Sequence, residues 1–139
     1  MLLWEGRTVG GQAHVPKPAG CAAPLGPSRI TQLEQIDFLR RLHAHRLPVS
    51  VRSQQLTKSL RLLENRPRYR LYGKTGWSNP GRLNNNGWFV GWLEQANGAV
   101  YSFALNLRPD PDRSVEQRFI AGRRLIAEQT LAELGVLKK

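Results

Sequence analysis

The chain has 139 residues, one domain's worth, and 40% of them are apolar. Its 21 Lys and Arg against 10 Asp and Glu give a net charge of +11, which leaves nucleic acid, a membrane surface or an anionic small molecule as partners. A single cysteine, Cys21, excludes an internal disulfide framework and a Cys-based zinc site, His14, His43 and His45 are too scattered to predict a metal, and no apolar run approaches the ~18 residues of a membrane span.

The start, MLLWEGRTVGG, meets glycines and an Arg before any long apolar stretch and is a poor secretory signal. Met1–Trp4 is apolar but short. Five glycines and four prolines crowd residues 6–27. Pro blocks helix and sheet ladders and Gly raises the entropy cost of ordering, so residues 1–27 read as a loop or disordered segment apart from the domain at 28–139.

From Ser28 the texture changes. Thr31-Gln-Leu-Glu34 fits a capping box, and Ile30, Leu33, Ile36, Leu39 and Leu42 follow on one helical face, predicting a helix over 31–45 that Pro48 stops. A second helix is predicted over 51–63, with Val51, Leu56, Leu60 and Leu63 inward, closed by Arg66-Pro67. Strands follow at 69–75, 87–94 and 99–107. In the first, Tyr69, Leu71, Gly73 and Thr75 alternate with Arg70, Tyr72 and Lys74. Asn97-Gly98 between the second and third is a strong hairpin signal. In the third, Tyr101, Phe103, Leu105 and Leu107 share one face, and small Ser102, Ala104 and Asn106 share the other, which suits close cover by a helix. Residues 114–134 supply one, with Val115, Phe119, Ile126 and Leu134 at roughly helical spacing and Gly135 as the residue past its end. Consecutive antiparallel strands with segregated helices argue an α+β fold, an antiparallel sheet with helices packed on it.

Tyr72-Gly73-Lys74-Thr75-Gly76-Trp77 carries the chemistry. A strand Lys, a Thr hydroxyl, a Gly that admits a ligand and the backbone N–H groups can together bind an anion. The run is not a phosphate-binding P-loop, because Arg68 stands where that motif's first Gly would be. On its own, Lys-Thr-Gly equally describes an exposed strand end. A rival reading starts from charge: ten Lys and Arg lie between Arg40 and Lys74 with one acid, Glu64, and Trp77, Trp88 and Trp92 stand nearby. That composition suits phosphate contact and base stacking, but no nucleic-acid motif accompanies it, and a solvated basic face is the preferred account. His43 and His45, at the end of a basic helix, read as solvated.

Lys74-Thr75-Gly76-Trp77, then Gly87-Trp88-Phe89-Val90-Gly91-Trp92-Leu93-Glu94, then Tyr101-Ser102-Phe103-Ala104-Leu105-Asn106, resembles the C-terminal part of class D (oxacillinase-type) serine β-lactamases and the related penicillin-sensing domains. Arg29-Ile30-Thr31, Glu34-Gln35 and Phe38-Leu39 resemble the helix preceding this region, and Leu134-Gly135-Val136-Leu137 its usual ending. The resemblance implies that Lys74 and Thr75 bind the carboxylate of a β-lactam or another small carboxylate, with Gly76 also in the substrate site. It gives the Trp77 N–H as one half of an oxyanion hole, with the indole as an apolar wall. It implies Arg118 as the carboxylate clamp, with Arg113 and Arg123 as competitors, and a solvated helix charge is the alternative for Arg118. No cofactor or metal is implied, and the oligomeric state is not set. The resemblance points to the periplasm, whereas the poor signal leaves the cytoplasm open.

The family's nucleophile and base lie in Ser-x-x-Lys, and no serine of this chain is followed by Lys at that spacing. Its Ser-x-Val element is also absent. The expectation is therefore a truncated domain, inactive alone. The other classes carried forward are a non-catalytic penicillin-binding or sensor fragment and a basic nucleic-acid-binding domain.

Overall fold

The computed structural model describes residues 2–4, 7–9, 30–78, 86–108 and 116–137. A six-stranded antiparallel sheet runs in the order β2-β1-β6-β5-β4-β3, formed by β1 (Leu2–Trp4), β2 (Arg7–Val9), β3 (Leu62–Asn65), β4 (Tyr69–Ser78), β5 (Asn86–Gln95) and β6 (Val100–Leu107). Three helices accompany it: α1 (Gln32–His43), α2 (Val51–Ser59) and α3 (Glu116–Glu133). This is the expected α+β class, and each of the three predicted strands is present.

α1 begins as its sequence dictates. The Glu34 N–H donates to Thr31 Oγ1 at 3.2 Å, and the Thr31 N–H donates to Glu34 Oε2 at 2.7 Å. Two of the helix's orphan donors are thus satisfied reciprocally, and the Thr31 bonds hold the Glu34 carboxyl below its usual range. Ile36, Leu39 and Leu42 are buried, while Ile30 stays largely outside.

The sheet has two covered faces. On one, Tyr69, Leu71, Phe89, Leu93 and Phe103 pack against Ala127 and Leu131 of α3 and against Val136 and Leu137 beyond it. On the other, Tyr72 and Trp92 pack against Leu39 and Leu42 of α1, with Val100 at the margin. Alternation along β4 to β6 assigns every residue to one of these faces. The small face of β6, carrying Ser102 and Ala104, is therefore the α1 side. The reading that residues 114–134 cover it is corrected: α3 covers the aromatic side, where Phe103 stands. Inward positions of α3 are Arg123, Ala127 and Leu131, whereas Ile126 and Leu134 are exposed and Val115 lies outside the described residues.

Three further expectations are revised. The helix predicted over 51–63 ends at Ser59, and Leu62–Asn65 forms β3. Arg66-Pro67-Arg68-Tyr69 makes a turn, with the Arg66 N–H donating to the Tyr69 carbonyl at 2.8 Å, and it folds the preceding residues back onto β4. Val51, Leu56 and Leu60 face outward, Leu60 with 78% of its surface exposed, whereas Leu63 lies from β3 over Gly73 and stays part-covered. Leu2–Trp4, read as too short to matter, pairs with β6 through Leu2–Phe103 and Leu3–Ser102. Asn97-Gly98 and Gly135 behave as expected, with Gly98 at φ 90° and Gly135 at φ 70°.

Candidate functional site

β4 positions the site. Its ten residues pair with β5 in unbroken register, including Lys74 with Val90, Thr75 with Phe89, Gly76 with Trp88 and Trp77 with Gly87. On its other edge β3 pairs only with Arg70, Leu71 and Tyr72, after which the Gly73 N–H donates to the Arg61 carbonyl at 2.9 Å. The run Lys74–Ser78 thus projects beyond β3. Alternate residues of an antiparallel strand turn their backbone groups to the same side, so the N–H groups of Thr75 and Trp77 share the Gly73 edge rather than the β5 edge.

Lys74 and Thr75 sit on opposite faces, the side of Tyr72 and the side of Leu71 respectively. Only at the strand edge can both reach one ligand. Lys74 is exposed, and its ammonium folds back to donate to the Thr75 carbonyl, on that same edge. Among the described residues Lys74 is in no ion pair. A cation without a counter-charge beside edge N–H groups suits a small carboxylate.

The Trp77 indole lies against Phe119, with ring centroids 5.7 Å apart. The Arg123 guanidinium stands 5.7 Å from the Trp77 ring and 5.5 Å from the Phe119 ring, within cation–π range of both. Arg123 is 3% exposed and donates through Nη1 to the Gly76 carbonyl. Burial holds its pKa below the usual arginine range. Gly87 makes room for this packing, since a Cβ there would stand 2.6 Å from Phe119 Cζ and 2.7 Å from Arg123 Cδ. Of the three candidate clamps, Arg123 is therefore committed inward, Arg113 lies outside the described residues, and Arg118 lies near the start of α3 with its side chain outside those described.

A second polar cluster, which the sequence reading missed, lies on the α1 face. Glu94 accepts from His43 Nε2 at 3.0 Å and from Trp92 Nε1 at 3.2 Å, with Arg70 at 3.3 Å and Lys58 at 4.0 Å. Tyr72 stacks on Trp92 at 4.8 Å. His43 is therefore half-buried and bonded rather than solvated. The available signal was the helical spacing from Leu39 and Leu42, which turns His43 toward the sheet. Glu64 takes the Tyr69 hydroxyl at 2.8 Å together with Arg66 and Arg124, and that hydroxyl leads the effects holding its carboxyl low. Several basic residues of the Arg-rich stretch are thus paired: Arg41 with Asp37, Arg66 with Glu64 and Arg70 with Glu94. Among the described residues no group of His, Cys, Asp and Glu could hold a metal, and no helix is long and apolar enough to cross a membrane.

Comparison with known proteins gives a consistent picture. The profile of the penicillin binding protein transpeptidase domain matches residues 19–123. β-Lactamase OXA-2 of Salmonella typhimurium is 44% identical over 82 residues, 59% of this chain and 28% of that protein. β-Lactamase OXA-5 of Pseudomonas aeruginosa is 32% identical over 106 residues, 75% of this chain and 39% of its own length. Among solved structures, the class D β-lactamase FUS-1 (OXA-85) from Fusobacterium nucleatum subsp. polymorphum superposes with a TM-score of 0.70 at 33% identity. The class D β-lactamase YbXI from Nostoc does so with 0.70 at 41%. Each covers 81% of this chain, which spans 44% of either structure.

Proposed function

Since this chain belongs to the penicillin-binding protein transpeptidase family, with class D β-lactamases among its relatives, we propose that it carries the carboxylate-recognition wall of a β-lactam site. In this reading Lys74 and Thr75 hold the ligand's carboxylate at the open edge of β4, Gly76 lets the ligand approach the backbone, and Arg118 completes the clamp. The Trp77 N–H donates to the lactam carbonyl oxygen. The observation that carries the reading is the projection of Lys74–Ser78 past β3, with an ammonium at the strand edge that no described acid neutralises.

Recognition is separate from turnover. Acyl transfer needs a hydroxyl, a base and an oxyanion donor at one carbonyl. These 139 residues contain no Ser-x-x-Lys. The chain alone therefore binds β-lactams weakly and does not hydrolyse them. Titration of the ¹⁵N-labelled chain with benzylpenicillin tests the first statement: the amides of Lys74 to Trp77 are expected to shift, and Lys74→Ala with Thr75→Ala to abolish the shift. A chromogenic cephalosporin assay with mass spectrometry tests the second. Turnover above that double variant, or an acyl adduct on any serine, would refute it.

A further inference from the structure

α2 carries its large apolar side chains outward. Gln54 is the residue it buries, and Leu56, two positions on, stands about 200° around the helix, on the opposite side. Leu60 lies one turn further along that outer row, and Arg52 one turn back. Leu56, Leu60 and, at the start of the helix, Val49 and Val51 are each more than half exposed. No acid occurs between Asp37 and Glu64, a stretch that holds six Lys and Arg. Of these, Arg46, Arg52 and Arg61 lie on α2 or flank it, and among the described residues they are in no ion pair. We propose that α2 and the turn before it form a peripheral docking face for an anionic lipid bilayer, with Leu56 and Leu60 entering the interface and Arg46, Arg52 and Arg61 meeting lipid phosphates.

The combination of charge and exposed apolar surface selects this occupant. A bilayer surface rich in anionic lipid favours both parts at once, the apolar side chains through burial at the headgroup boundary and the basic ones through the surface potential. Long arginine side chains let the charge stay among the headgroups while the leucines go deeper. A nucleic acid would use the arginines and leave the two leucines in water. A second copy seated about a two-fold axis would set this basic face against itself, and the two acids that border it, Glu64 and Glu94, are already bonded within the chain. α3 supplies the contrast. It too exposes apolar side chains, at Leu125 and Ile126, but Glu128 and Glu133 follow on the same helix. The contact is peripheral, since α2 has nine residues against the ~20 that a span needs. The inference does not rest on β-lactam recognition at Lys74.

Co-sedimentation of the full chain with vesicles tests the proposal. Binding is expected to vesicles of equal parts phosphatidylglycerol and phosphatidylcholine, and not to phosphatidylcholine alone. Leu56→Gln with Leu60→Gln should weaken binding about tenfold or more, and Arg52→Gln and Arg61→Gln about fivefold each. Leu125→Gln with Ile126→Gln, on α3, should leave it unchanged. Leu60→Trp keeps an apolar side chain on the face, and on the anionic vesicles it should add a blue-shifted emission, quenched by brominated lipid, that the unmodified chain lacks. Absence of binding to the anionic vesicles overturns the proposal. So does binding that the leucine pair leaves unchanged, which is adsorption by charge alone. A single-stranded oligonucleotide bound in place of vesicles, released by the arginine variants and kept by the leucine pair, assigns the face to nucleic acid. Self-association lost with the leucine pair while both vesicles stay free assigns it to a second copy. Either result overturns the lipid assignment. Should the leucine pair not fold, the Leu60→Trp emission decides.

Discussion

His43 Nε2 and Glu94 Oε1 meet at 3.0 Å across 51 residues of chain, tying the last turn of α1 to the end of β5. Lys58 from α2 and Arg70 from β4 face the same carboxylate, and the Lys58 ammonium lies 6.0 Å above the Trp92 ring. Burial, and then Lys58, hold the His43 imidazole below its ordinary value near 6.5, against the pull of Glu94. The folded state therefore prefers neutral His43. Above the unfolded value the imidazole is neutral in both states and its contribution is complete. As pH falls below it, the unfolded chain takes up the proton first, and stability is lost until the folded value is passed. Urea unfolding between about pH 7.5 and pH 5 should show a steeper loss for the unmodified chain than for His43→Gln. Equal slopes would refute the assignment.

Gly91 faces Gly73 in the β4–β5 register. A Cβ at Gly91 would stand 2.0 Å from the Tyr72 carbonyl oxygen and 2.8 Å from the Gly73 Cα, both backbone atoms with nowhere to move. Gly91→Ala is expected to cost about 3 kcal/mol or more, beyond ordinary overpacking. A midpoint in urea within error of the unmodified chain would contradict the close approach.

Gln54, 1% exposed, is the buried residue of α2. Its amide oxygen accepts from the Leu47 N–H at 3.2 Å, and its nitrogen donates to the Leu47 and Val49 carbonyls at 3.3 and 2.9 Å. It bonds the Leu47 N–H and the Val49 carbonyl, and adds to the Leu47 carbonyl, which also accepts from the Val49 N–H at 2.8 Å. Gln54→Leu fills the volume but strands the Leu47 N–H and the Val49 carbonyl, and is expected to cost about 1–3 kcal/mol. Thermal unfolding checks it, and an unchanged Tm would show that water replaces the amide.

Leu56 and Leu60 expose 59% and 78% of their surface. Leu56→Gln with Leu60→Lys should leave stability within about 0.5 kcal/mol and raise the concentration at which the chain stays monodisperse. Light scattering and urea unfolding measure the two effects separately. A loss of several kcal/mol would mean that these side chains are packed after all.

The meander was legible because alternation and the Asn97-Gly98 turn act locally, and α1 because Thr31 and Glu34 cap it within four residues. β3 was obscured because Leu56, Leu60 and Leu63 imitate a helical stripe; the contrary signal was Pro67 at the second position of a turn, which sends residues 62–65 back along β4. The site was half legible. Lys74 to Trp77 could be placed on a strand from sequence, but that β3 stops at Tyr72 and leaves their edge projecting depends on pairing between distant backbones. Arg123 could not be ranked against Arg118 by spacing, since what turns it inward is the hole opposite Trp77 that Gly87 leaves. Glu94 and His43 are 51 residues apart, and only the stacking of α1 on the sheet brings them together.

The unbroken run β4, β5, β6 also bears on how the molecule assembles. These strands are neighbours in sequence and in the sheet, so closing each hairpin spans a short stretch of chain, whereas docking α1 on Trp92 must close a loop of about fifty residues, at a higher entropic cost. The meander is thus the element whose formation is least delayed by chain diffusion, and the edge at Lys74–Trp77 is drawn before either helical layer docks on the sheet. In the refolding transition state, contacts such as Phe89–Phe103 are accordingly expected to be formed ahead of those made by Leu39 and Leu131.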